Sequence, residues 1–295
     1  MRWTLAGLIS LAFAISASAQ EPASPGSGFL IGAGAIPPAR AEGKEREEAE
    51  PPEREEPIET DRDAFTPQTR TVEKGRSILE MAYSFIDNRR DFEKHSYPEM
   101  LYRYGLTGRV ELRLGWNYEV GGSGSSISGA EGLAELEGAG VERASRLLYG
   151  FKAMVTDQGG WIPESCVLVQ GFTPTSGKET DTQLMLGYVF GWKLPNSWKL
   201  DAALRYATAT GEDDHFIIWA PSTVLRVPVG EHWGVHAEYF GEFAQQAQAN
   251  FVHHFFSTGA HYLVTENLEI GVRVGWGLND QTSRFFTNVG VGWRF

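Results

Sequence analysis

The sequence predicts a transmembrane antiparallel β-barrel of about twelve strands behind a disordered amino-terminal tether. Three observations predict it. An apolar and polar alternation of period two runs from Gly75 to Phe295, the number of alternating runs is even, and the connections switch between longer polar loops and tight turns. The clearest run places Val110, Leu112, Leu114, Trp116, Tyr118 and Val120 on one face and Glu111, Arg113, Gly115, Asn117 and Glu119 on the other.

Taken in order, the chain begins with the pattern of a secretory signal peptide over residues 1–19. Arg2 precedes an apolar run of Leu5, Leu8, Ile9, Leu11, Phe13 and Ile15, and Ala17-Ser18-Ala19 supplies small residues for cleavage near Ala19. That run is too short for a helix crossing a bilayer of roughly 30 Å. Residues 20–60 hold ten glutamates against four basic residues, interleaved with proline, and read as a solvated tether with little to bury. Residues 61–74 are polar and lack strand periodicity. They are expected either to fold into the lumen as a plug or to lead in from the periplasm to the barrel at 75–295.

Within the barrel, Leu79, Met81, Tyr83 and Phe85 oppose Glu80, Ala82 and Ser84, and a less regular strand follows near 97–104 before the run at 110–120. Strands are expected near 145–156 and 162–173, the latter with its facing open. Next come Leu184 to Trp192, Trp198 to Tyr206, and less regular strands near 215–227, 233–243 and 254–263. Leu268 to Trp276 and Phe285 to Phe295 complete twelve. Tight turns at 105–108, 157–160, 195–197, 228–232 and 265–267 share one rim, and longer loops, including Gly121 to Ala144, share the other. That loop is expected to be mobile or to fold over the pore. The apolar face should meet lipid, because Arg or Lys at mid-strand there costs roughly 2–4 kcal/mol. Arg113, Lys152, Lys199, Arg205, Arg226 and Arg273 should therefore point inward. Trp198, Trp233, Trp293, Tyr102 and Tyr104 near the short turns, and Trp116, Tyr118, Tyr206 and Trp276 near the long loops, form two aromatic belts that a secreted β-sandwich or lipocalin-like barrel would not need.

A formal charge of −12 at pH 7 argues against nucleic acid as a partner. The single cysteine, Cys166, excludes an intrachain disulfide and reads as a small half-buried apolar residue. A barrel enzyme of the lipid hydrolase or acyltransferase kind needs a hydroxyl nucleophile beside a histidine. His253, His254, His261, Ser257 and Thr258 supply the residue types, but alternation separates Ser257 from His254, and adjacent His253 and His254 diverge as metal ligands. No catalytic residue, metal or cofactor is predicted, and a structural or adhesive barrel without transport stays open as a further class. The glycines near Gly132 follow no strand-to-helix order and make no phosphate loop.

Specific residues carry a family resemblance over about 59–295. The run Glu59-Thr60-Asp61-Arg62, then Thr66, Thr71-Val72, Gly75 and Glu80 leads to Leu101, Arg103-Tyr104-Gly105-Leu106-Thr107, Arg109 and Glu111-Leu112-Arg113-Leu114-Gly115. Gly150, Lys152, Pro174-Thr175, Gly177 and Glu238-Tyr239 continue it. The chain thereby resembles the outer-membrane family labelled putative MetA-pathway of phenol degradation, whose members are often described simply as transporters. It departs at Asp63-Ala64, where a proline is expected after the arginine, and the Glu/Pro tether is an addition. The resemblance implies an outer-membrane barrel that passes or binds small molecules, with aromatic compounds as the class the family label suggests.

A twelve-strand barrel is wider than the eight-strand kind filled by its own side chains and narrower than open 16-strand porins, so partial occlusion is expected. Glu80, Glu99, Glu111, Asp201, Glu238 and Glu269 should face Arg103, Arg113, Lys152, Arg205 and Arg273 inside, pairing across strands as a ladder that lines a selective path or simply braces the wall. The expected partners are outer-membrane lipid, a small solute, and the barrel assembly machinery through the terminal strand at Phe295. The function these features suggest is passive passage of small solutes through a charge-lined lumen in the outer membrane.

Overall fold

The computed structural model describes residues 57–295 except 90, 123–125, 130, 134–139, 211–214 and 246–249. The leader predicted at 1–19 and the tether up to residue 56 lie outside the described residues.

Twelve strands form one closed antiparallel barrel in which β1 pairs with β12. They are β1 Ser77–Asp87, β2 Lys94–Thr107, β3 Val110–Gly121, β4 Glu142–Thr156, β5 Glu164–Ser176, β6 Gln183–Lys193, β7 Lys199–Thr210, β8 His215–Val229, β9 Trp233–Gln245, β10 Asn250–Thr265, β11 Leu268–Gly277 and β12 Phe285–Arg294. Every strand therefore finds a neighbour on both sides, and no backbone edge faces hydrocarbon. Several strands run longer than their alternation suggested: β2 begins at Lys94, β5 ends at Ser176 and β10 begins at Asn250. These extensions are largely polar residues at the loop rim, with Phe251 and Val252 on β10 the exceptions, and ladder hydrogen bonds persist there after the regular alternation has ended.

The two faces divide as the alternation requires. Leu114, Leu184, Leu186, Val289 and Trp293 are exposed on the outer surface, whereas Arg113, Lys152, Lys199, Arg205, Arg226 and Arg273 are all buried inside. Trp198, Trp233 and Trp293 stand exposed near the short turns and Tyr206 and Trp276 near the long loops. On β5 the open question of facing is answered by Glu164, Cys166, Leu168, Gln170 and Phe172, which are buried inward. Cys166 is fully buried rather than half-buried, packed with Val189 and Ala203, because segment 57–74 covers it from within.

That segment runs inside the barrel. Ile58, Ala64, Phe65 and Val72 are buried, and residues 57–60, assigned to the tether on composition, already lie against the wall, with the Ile58 amide donating to the Glu266 carbonyl at 2.9 Å. Lys74 then bridges to Gly105, and Gly75, with φ of 79°, turns the chain into β1. A side chain at Gly105 would collide with the Glu73 carbonyl, which is why the Arg103-Tyr104-Gly105 run needs glycine at its end.

The long connection between β3 and β4 also enters the lumen: Ile127 and Leu133 are fully buried. Gln183 holds Leu133 through both backbone groups, at 2.7 and 2.9 Å, and Arg273 donates to the Ile127 carbonyl. The Gly129 amide donates to the Ala64 carbonyl at 3.0 Å, so the loop and segment 57–74 meet inside the barrel.

Candidate functional site

The ten inward residues singled out from the sequence, Glu80, Glu99, Arg103, Glu111, Arg113, Lys152, Asp201, Arg205, Glu238 and Arg273, are all buried on the inner wall. Alternation brings them there, since each occupies the face opposite the lipid-facing residues of its strand. Some pair across neighbouring strands. Arg103 reaches Glu80 at 3.0 Å and grips Glu111 with two nitrogens at 3.0 Å, and Arg226 pairs with Asp201 at 2.7 Å. Most of their remaining capacity is directed elsewhere, at segment 57–74.

Asp61 is the centre of that contact. Its Oδ2 accepts from Arg113 at 2.5 Å and Lys152 at 2.7 Å, and its Oδ1 accepts from the Gln68 amide at 2.8 Å. Burial by itself pushes the Asp61 carboxyl up, and the charges of Arg103, Lys152 and Arg113 outweigh burial and hold it well below the usual carboxylate range.

Wall carboxylates then bind the backbone of the segment. Glu80 Oε2 accepts from the amides of Asp61 and Arg62 at 2.9 and 3.0 Å, Glu238 from those of Phe65 and Thr66 at 3.0 and 2.7 Å, and Glu111 from Val72 at 2.9 Å. Wall cations take the carbonyls: Arg103 that of Glu59 at 2.9 Å, Lys152 that of Gln68 at 3.0 Å, and Arg226 that of Thr66 at 3.2 Å. Side chains complete the set, with Arg62 on Glu99 at 3.1 Å and Thr60 on Glu269 at 2.8 Å. A segment without regular secondary structure thus has its polar backbone satisfied by wall charges, which is what burying such a segment demands.

Arg205 is different. It donates to the Gly129 carbonyl at 3.4 Å and lies over the Phe65 ring at 3.9 Å. Toward the long loops an apolar cluster fills part of the interior, beside the buried Glu242 and a buried Lys94–Glu119 pair at 2.9 Å: Leu101, Leu148, Phe172, Met185, Phe216, Ile218, Phe240, Phe255 and Phe286 pack together with Phe65, Ile127 and Leu133. Phe240 stacks on Phe65 at 4.1 Å and on Phe255 at 4.7 Å.

The residue types considered for an acyl-transfer site are dispersed. Ser257 donates to Glu238 at 3.1 Å as part of the segment's seat, His254 contacts Tyr239 at 2.6 Å on the outside, and His253 faces Glu242 at 3.6 Å. Sequence reasoning did not single out Lys199, Arg226, Glu164, His236 or the segment's own Asp61 and Arg62 as site residues. The usable signal was the Thr60-Asp61-Arg62 run, a charged motif standing outside any strand period.

Comparisons with known proteins agree with this architecture. The sequence pattern of a family described as "Putative MetA-pathway of phenol degradation" matches residues 60–295. An outer membrane channel from Pseudomonas putida F1 superposes with a TM-score of 0.56 at 13% identity, over 77% of this chain and 98% of that one. The NanC porin does so with a TM-score of 0.51 at 6% identity, over 73% of this chain and 98% of its own. At such identities the likeness concerns the barrel alone. No curated protein matches the sequence.

Proposed function

The chain belongs to the family described as "Putative MetA-pathway of phenol degradation", and from that premise we propose that it is an outer-membrane channel for small solutes in which segment 57–74 is the plug. The observation that carries this reading is the seating of that segment: inward carboxylates and cations hold its amides and carbonyls, not only one another. A barrel braced for its own sake has no use for a segment whose removal would leave charges facing a water-filled hollow. The apolar cluster on the long-loop side supports small aromatic or hydrophobic compounds as the solute class, since Phe216, Phe240, Phe255 and Phe286 line the inner wall there. The lumen would then discriminate twice, by contact with rings first and by charge below. In this reading the mature protein reaches the outer membrane after loss of its leader, and β12 with the Phe295 that follows it is what the assembly machinery receives.

The test is single-channel recording in planar bilayers with the full chain and with residues 20–70 deleted. The deletion should raise conductance several-fold and make it selective by charge, and liposome swelling should then admit phenols and other solutes of graded size. Equal conductance of the two proteins would reject the plug.

A further inference from the structure

Two inner-wall histidines take no part in seating the plug. His236 on β9 stands opposite Gly259, and His261 on β10 stands opposite Gly234, which makes the two imidazoles diagonal neighbours on adjacent strands. Both rings lie over bare backbone. A Cβ at Gly259 would collide with the ring of His236, and one at Gly234 with that of His261.

The rings are also unsatisfied. His236 is 4% exposed, and neither its Nδ1 nor its Nε2 has a hydrogen-bond partner; the Nδ1 of His261 is likewise buried without one. Buried polar nitrogens are ordinarily paired, and each left alone costs about 1–3 kcal/mol. The lumenal segment brings a third group to the same place. One ligand atom from each of Asp63, His236 and His261 lies within 4.8 Å of the other two. Asp63 Oδ1 makes no close hydrogen bond and meets Arg226 in an ion pair at 3.5 Å. Arg226 is itself provided for by Asp201 at 2.7 Å and the Thr66 carbonyl at 3.2 Å.

We propose that Asp63, His236 and His261 form a binding site for a divalent first-row transition-metal ion of the zinc type, which clamps the lumenal segment to strands β9 and β10.

Two imidazoles and one carboxylate are a donor set that suits zinc, nickel or copper, whereas calcium and magnesium call for oxygen ligands. Tetrahedral bonds of about 2.1 Å put donor atoms about 3.4 Å apart, so the trio must draw in by roughly 1 Å, a movement open to imidazoles that face glycine rather than a packed side chain. The fourth position would go to water. Charge permits the ion: Asp63 and Glu238 are the anions that act on His236, set against Arg226 and Arg273.

The test uses the full chain, folded in detergent, stripped with a chelator and titrated with Co2+ and then Zn2+. The folded state is followed throughout by its heat-modifiable migration on gels. One equivalent of Co2+ should bind with the intense visible absorption of a four-coordinate ion and be displaced by Zn2+. Asp63→Asn, His236→Gln and His261→Gln should each weaken binding by at least about 100-fold, beyond the roughly 10–100-fold that loss of an outer partner costs. Gly259→Ala, which leaves all three ligands in place and displaces a ring, should also weaken it. If a histidine variant fails to fold, Asp63→Asn still decides, because it lies outside the barrel wall. No stoichiometric binding to the folded protein, or binding that all three ligand substitutions leave unchanged, overturns the proposal.

Discussion

In the half of the interior nearest the short turns, Asp61 is held by Arg113 at 2.5 Å and Lys152 at 2.7 Å; in the half nearest the long loops, Phe240 is held by rings, Phe65 at 4.1 Å and Phe255 at 4.7 Å. Both sites are fully buried, and both join the wall to an element that enters the lumen. Their physics differs. The lower half is directional: Glu80, Glu111 and Glu238 accept from particular amides of the segment, which fixes its register. The cluster of the upper half is an area of apolar contact that tolerates shape change as long as volume is kept. Under the proposed channel function, the lower part recognises the chain's own segment and the upper part offers a solute ring contacts that need no directional hydrogen bond.

Substitution of Asp61 tests the directional half most severely. Asp61→Ala leaves Arg113 and Lys152 buried around a missing charge, and breaking one partner of a buried ion cluster costs roughly 3–5 kcal/mol. Hydrogen exchange of the Thr66 and Val72 amides, which Glu238 and Glu111 hold, should speed up by about 100-fold or more while the barrel strands keep their protection.

Phe240→Ala should cost about 3 kcal/mol through the cavity left between Phe65, Phe255 and Phe286. That loss belongs to the upper half. It should lower the temperature at which the barrel loses its compact migration and leave exchange at Val72 nearly unchanged. Equal acceleration at Val72 in both variants would break the distinction between the halves.

The smallest effect is the most selective. Asp61 has its carboxyl held below the usual range, so its contribution is complete above the unfolded value near 3.9 and is lost only as pH falls through the lower folded value. Exchange at Thr66 measured against pH should therefore be indifferent to Asp61 between pH 7 and 5, after correction for intrinsic rates, and should rise below about pH 4. Asp61→Asn should remove that step, and Phe240→Ala should not.

The barrel wall was readable because each strand states its own facing. Leu112, Leu114 and Trp116 against Glu111, Arg113 and Gly115 need no distant information to decide which side is wet. Strand β5 was not readable in that way, because Cys166, Leu168 and Phe172 point inward beside Val167 and Val169 pointing outward, and apolar residues on both faces erase the period. The inward charges were visible as a set, but not what they bind. Alternation locates Glu238 on the inner face and is silent about the Phe65 and Thr66 amides, more than 170 residues earlier in the chain.

By itself the sequence determined the wall: twelve two-faced strands, charges within, aromatic belts at both rims, all consequences of a local period meeting two solvents. Only closure of the barrel decided what fills it. The meeting of Asp61 with Lys152, or of Asp63 with His236 and His261, depends on strands curving until their inner faces converge on one segment, and no short-range pattern encodes a convergence.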